Sequence, residues 1–120
     1  MSKPIQSLAE FQSTFAPKPV EVEVQVPGTD ASVSVFLKPL TSAQRDEFEA
    51  SVVGIDGKRD LKNLRARLVC SCLVTETGSK VGDAKSVGEL DARLVGALFE
   101  KVRQLNGMDG EDAVEEAGKD

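Results

Sequence analysis

The sequence contains no histidine, no tryptophan and no tyrosine, and its only aromatic side chains are five phenylalanines. Without histidine, the commonest general base and the commonest metal ligand are both missing. So few aromatics leave little stacking platform for single-stranded nucleic acid, and a core of valine, leucine and alanine is expected. Cysteine is limited to Cys70 and Cys72. So close together on a helix, they point to nearly opposite sides, and no bridge between them is expected. Without further cysteine or histidine they offer two ligands where zinc takes three or four. Two small core residues are the plainer reading, and free thiols suit a reducing cytosol. No apolar run approaches bilayer length, and Met1-Ser2-Lys3-Pro4 leads into no apolar stretch of the kind a secretory signal needs. No phosphate-binding loop, dinucleotide fingerprint or calcium loop occurs, and Asp56, Gly57 and Asp60 make too short a run for an EF-hand. No catalytic, metal or cofactor-binding residue is assigned on these grounds, and an enzyme is not expected.

What is present suits one domain. The chain has 120 residues and a net charge of −5, and a domain of this length can bury a core without disulfide staples. The charge is unevenly placed. Asp109, Glu111, Asp112, Glu115, Glu116 and Asp120 face Lys119 alone, whereas the preceding residues carry acidic and basic side chains in equal number. A neutral body with an acidic tail argues against nucleic acid as the main partner. The one basic cluster is Lys58, Arg59, Lys62, Arg65 and Arg67, of which Lys58, Lys62 and Arg65 are able to share a helix side. A solvated face or a contact for an acidic partner is preferred to a nucleic-acid footprint.

Periodicity divides the chain into an arm, a body and a tail. Ile5, Leu8, Phe11 and Phe15 have roughly helical spacing, and Ser7 with Glu10 fits a capping box. Pro17 and Pro19 end that arm, residues 1–19, which either packs on its own domain or serves as a docking arm. Val20, Val22, Val24 and Val26 alternate with Glu21, Glu23 and Gln25, and Val33, Val35 and Leu37 alternate with Ser32, Ser34 and Lys38. Phe36 breaks the polar face of the second run. Period-two alternation predicts strands with one buried and one wet face, and Glu21 and Glu23 read as solvated surface. Pro27-Gly28-Thr29-Asp30 between the runs makes a β-hairpin. A capping box at Thr41 and Gln44 opens a helix over 42–53 with Phe48 and Val52 inward and Gly54 as C-cap. Ile55-Asp56-Gly57-Lys58 reads as a loop. Asp60 then caps a helix over 61–76 whose stripe is Leu61, Leu64, Leu68 and Cys72, widened by Val69 and Leu73. Apolar nearly all round from Leu68 to Val74, it is the expected central helix. After a loop over 77–85, Ser86 and Glu89 cap a long helix to about Asn106, carrying Val87, Leu90, Leu94, Leu98, Val102 and Leu105. Residues 107–120 form the tail, a weak helix or disordered. The expected fold is α+β: a hairpin packed on a mainly helical body over 20–106, with three or more helices.

This order of parts resembles the tail assembly chaperones of long-tailed bacteriophages, of the lambda-like or HK97-like short form. The likeness rests on Pro39-Leu40-Thr41-Ser42-Ala43-Gln44-Arg45 after the hairpin, on Val87-Gly88-Glu89-Leu90 at the start of the last helix, and on Glu111-Asp112-Ala113-Val114-Glu115-Glu116 in the tail. The family's usual Asp-x-x-Gly turn stands here as Thr75-Glu76-Thr77-Gly78. The resemblance implies a non-enzymatic protein of the host cytoplasm that binds the tail tube protein and the tape measure protein before the tube polymerises and is absent from the finished virion. It also implies a longer product made by ribosomal frameshifting, for which Ala117-Gly118-Lys119 fits the coding of a slip site. Which residues touch a partner is unknown. A head–tail connector or minor tail protein of the virion and a small nucleic-acid-binding regulator are the alternatives, and self-association through the hairpin edge is open.

Overall fold

The computed structural model describes residues 3–54 and 57–108. The elements run α1 (Leu8–Phe15), β1 (Val20–Gln25), β2 (Ser32–Leu37), α2 (Ser42–Val53), α3 (Leu64–Cys72), β3 (Leu73–Val74), α4 (Ala84–Gly88) and α5 (Ala92–Leu105). The fold is α+β, with the hairpin packed on helices, as the alternation and the helical stripes predict.

The hairpin pairs Val24 with Val33, Val22 with Val35 and Val20 with Leu37. Directly opposed residues share a face, so the valines line one side of the ribbon. Val24 and Leu37 are fully buried there, and Val22 and Val35 pack against the core. The turn closes through the Val26 N–H to the Ala31 carbonyl at 3.0 Å, and Gly28 adopts the positive φ of 78° that the turn requires.

α2 starts and stops where its caps lie. The Thr41 hydroxyl accepts the Gln44 N–H at 3.1 Å, and the Gln44 side chain accepts the Thr41 N–H at 2.9 Å. Gly54, at a φ of 83°, ends the helix with its N–H on the Ala50 carbonyl. Only Phe48 and Val52 of α2 are buried, a narrow stripe that sets the helix on the body's flank.

The helix expected over 61–76 is shorter at both ends. At its start Asp60 does not cap. Its carboxylate accepts the Lys62 N–H at 3.2 Å, while its own N–H reaches back to the Val52 carbonyl at 2.7 Å. Asn63, in the left-handed region, is the N-cap, and Leu61 stays exposed. At the other end the chain leaves the helix after Cys72, and Leu73 and Val74 pair with Leu37 and Phe36 as β3. The cause is competition for a carbonyl: the Cys72 C=O is taken by the Lys38 N–H at 2.8 Å, and β-branched Val74 and Thr75 favour extended backbone. The result is a three-stranded antiparallel sheet ordered β1-β2-β3. Thr75-Glu76-Thr77-Gly78 makes the turn after it, with the Gly78 N–H on the Thr75 carbonyl at 2.9 Å.

The long helix expected from Ser86 to Asn106 is two helices. The capping box lies a full helical turn earlier than expected, at Asp83 and Ser86 instead of Ser86 and Glu89: the Ser86 N–H donates to the Asp83 carboxylate at 2.8 Å and the Asp83 N–H to the Ser86 hydroxyl at 3.1 Å. The Asp91 carboxylate then accepts the Arg93 N–H at 2.8 Å and starts α5. Between the two caps Leu90 lies exposed. A helix passing through Asp91 would forfeit that second cap.

Ala66, Leu68, Val69 and Cys72 of α3 form the centre of the core, enclosed by Val95, Leu98, Phe99 and Val102 of α5, by Val87 of α4 and by the valine face of the hairpin. Met108, read from sequence as part of the tail, is fully buried. Its N–H donates to the Arg103 carbonyl at 2.7 Å, and its carbonyl accepts from Arg103 Nε at 3.0 Å. The expected Ile55-Asp56 part of the loop and the acidic residues from 109 to 120 lie outside the described residues.

Candidate interaction surface

Three surface features bear on binding: the apolar stripe of α1, the open edge of the sheet, and the side chains of the former basic cluster. α1 is a well-formed helix, with the Ser7 hydroxyl accepting the Glu10 N–H at 3.2 Å, yet none of its residues is buried. Leu8, Phe11 and Phe15 are 72, 49 and 68% exposed. The two rings contact each other, their centroids 6.4 Å apart. With Ala16 and Pro17 they border a shallow hollow of about 320 Å³ whose far wall is Leu40, Thr41 and Ser42 at the start of α2. Large apolar side chains in a group, rather than singly, mark surfaces that other molecules cover. The helical spacing of Leu8, Phe11 and Phe15 was legible in the sequence; that nothing buries them was not.

The sheet ends at β1, and β2 and β3 continue it on the other side. Glu21 and Glu23 project from the wet face of β1 and are exposed, as the alternation predicts. A strand with one side unpaired is a template for pairing with another chain.

The basic residues do not assemble into one face. Lys58 and Lys62 precede α3 instead of lying on it, so they share no helix side with Arg65. The Arg65 guanidinium sits 5.5 Å from the centroid of the Phe99 ring, and that of Arg103 sits 5.8 Å from it. Arg67 donates to the Asp60 carbonyl and pairs with its carboxylate at 3.6 Å. Arg65 is thus engaged between α3 and α5, and Arg67 holds the segment before α3 against the body.

The two cysteines are free thiols on differently exposed positions. Cys72 is fully buried, and burial pushes its thiol up to about 11 against a hydrogen bond from the Asn106 side chain that pulls the other way. Cys70 is half-buried beside Ser71 and Lys80 in a hollow of about 310 Å³, and desolvation raises its thiol too. Neither is set up as a thiolate nucleophile. Among the described residues no group of three or more His, Cys, Asp or Glu is placed to hold a metal ion.

The strongest acid shift belongs to a cap. Hydrogen bonds from the Arg93 side chain and backbone hold Asp91 down to about 2, and the same pairing raises Arg93. The Ser86 backbone N–H likewise lowers Asp83. Both carboxylates are thus engaged as helix starts.

No protein-family model, curated protein or solved structure matches the chain. Among the described residues no helix is long and apolar enough to cross a membrane.

Asn106 is a residue whose role the sequence did not reveal. Its side chain accepts the Leu40 N–H at 2.8 Å and donates to the Val102 carbonyl at 2.8 Å. It thereby ties the end of α5 to the segment that joins the hairpin to α2. That segment also forms one wall of the hollow beside α1, so Asn106 helps to hold that wall in place.

Proposed function

We propose that this chain is a non-enzymatic binding protein that acts as a phage tail assembly chaperone, holding tail tube and tape measure proteins in the host cytoplasm before the tube polymerises. One observation carries the binding part of this reading: the described residues bury none of the stripe of Leu8, Phe11 and Phe15 on α1, which stays exposed. A helix whose apolar side chains face solvent gains stability only when something else covers them. The identity of the clients comes from the resemblance of the hairpin, the Thr41-capped helix and the tail to that chaperone family. A chaperone of this type needs surfaces that take up an assembly-prone subunit and release it, and an apolar stripe beside an open strand edge suits that work.

The test uses the natural gene with its downstream DNA, carrying an N-terminal affinity tag in the phage. Expected results are retention of the tail tube and tape measure proteins from infected lysate, absence of the chain from washed virions, and a minor longer product diverging after Lys119 by intact mass. Stoichiometric recovery of the chain in washed virions, without retention from lysate, overturns the reading in favour of a connector or minor tail protein. Retention by nucleic acid, lost at high salt and on Lys62→Ala with Arg65→Ala, would favour a regulator.

A further inference from the structure

We infer that the outer edge of β1 receives an extended segment of a partner protein in which apolar residues alternate with lysine or arginine. The inference deepens the binding reading above, and it stands on three observations about β1 itself.

The first is the direction of the backbone. The register opposes Val20, Val22 and Val24 to Leu37, Val35 and Val33, and the Val26 N–H bonds to the Ala31 carbonyl. In an antiparallel pair, residues alternate between bonding to the partner strand and facing away from it. The even-numbered residues of β1 therefore bond to β2. Glu21, Glu23 and Gln25 direct their N–H and C=O groups to the open side, where the described sheet has no further strand.

The second is the apolar face. Val24 is fully buried, whereas Val20 is 42% exposed. The valine face thus runs out beyond the cover of the chain's own helices, and an added strand with apolar side chains on that face would extend the core over it.

The third is charge. Across the hairpin, Glu21, Glu23 and Gln25 are opposed by Phe36, Ser34 and Ser32, none of them cationic. Neither carboxylate takes part in an ion pair among the described residues. A strand docked on the open side places one side chain directly opposite each. Lysine or arginine at those two positions completes pairs that the hairpin leaves incomplete.

The same carboxylates disfavour a second copy of this chain in the registers that pair most of β1. A two-fold antiparallel pairing of β1 centred on Glu21, on Val22 or on Glu23 sets a glutamate directly opposite a glutamate in every case. A parallel, in-register pairing puts each glutamate beside its own copy. Like charges directly opposed are destabilising. Charged side chains on an edge strand protect against self-pairing, and here they also specify the occupant.

The experiment titrates the isotopically labelled full chain with a short capped peptide of alternating valine and lysine. A peptide of alternating valine and glutamate serves as counter-probe. The expected result is chemical-shift change and slowed amide exchange at Glu21, Glu23 and Gln25 with the basic peptide only. The double variant Glu21→Lys with Glu23→Lys should bind the basic peptide at least about tenfold more weakly and gain the acidic one. That gain also shows the variant to be folded. Shifts mapping away from β1, an unchanged preference in the double variant, or concentration-dependent protection of the same amides by self-pairing each overturn the inference. Tail proteins retained undiminished by the double variant would overturn the edge and leave the chaperone reading standing. Peptide capture without retention of tail proteins would support the edge and remove the chaperone reading.

Discussion

Replacing Asn106 by alanine tests whether one polar side chain joins the helical body to the hairpin's exit. The Asn106 side-chain oxygen Oδ1 accepts the Leu40 N–H at 2.8 Å, and no other acceptor for that N–H is present among the described residues. Its amide nitrogen donates to the Val102 carbonyl at 2.8 Å and lies 3.6 Å from Cys72 Sγ. The Val102 carbonyl keeps the Asn106 backbone N–H at 3.1 Å after truncation, and a contact to sulfur is weak, so these two losses are small. The dominant cost is the half-buried Leu40 donor left without a partner, about 1–3 kcal/mol. For a domain of this size, a loss near the middle of that range lowers Tm by roughly 10 °C. The assay is urea and thermal unfolding of Asn106→Ala beside Gln104→Ala, an exposed position on the same helix for which a change within about 0.5 kcal/mol is expected. Hydrogen exchange supplies the local readout: the Leu40 amide should lose protection far more than amides in the middle of α3. A destabilisation below about 0.5 kcal/mol with the Leu40 amide still protected would refute the reasoning.

Three further outcomes follow from the packing and the titrating groups. Leu98→Ala, at a core position only 2% exposed, should cost about 2–5 kcal/mol, a large share of the roughly 5–15 kcal/mol available to such a domain; denaturant titration checks it. Phe11→Ser with Phe15→Ser should leave the unfolding free energy within about 0.5 kcal/mol of the wild type, because no residue of α1 is buried, while abolishing retention of tail proteins if α1 is the binding stripe. The buried Cys72 thiol, raised from 9.0 to about 11, holds its proton more tightly in the folded chain than in the unfolded one. Its contribution is complete below pH 9 and is lost as pH rises towards 11. The stability of the wild type should therefore fall more steeply across that window than that of Cys72→Ala, by roughly 2–3 kcal/mol in total.

Alternation in residues 20–37 sufficed for the hairpin because a side-chain period of two can be met only by extended backbone with one wet face. The α2 caps were equally local: Thr41, Gln44 and Gly54 act on neighbours within a turn. Leu73 and Val74 continued an apolar run, and an apolar run alone does not distinguish a buried helix from a buried strand. The Lys38 N–H, distant in sequence, took the Cys72 carbonyl and settled the matter. Asp60 and Ser86 were misassigned because several Asx and Ser residues near each helix start compete as caps, and packing selects among them.

The sequence by itself determined the class of fold, the valine face of the hairpin, the α5 stripe of Leu98 and Val102, and the placement of excess charge in the tail, since each follows from spacing or composition alone. Only the tertiary structure decided which apolar side chains are left without cover. Leu8, Phe11 and Phe15 carry the same helical spacing as a core stripe, and burial is a property of what lies opposite a residue, which no local pattern records. The same reason governs Glu21 and Glu23. Their alternation marked a wet face, but their standing at a free edge with no cation opposed depends on the strand order β1-β2-β3, set when the end of α3 joined the far side of the sheet.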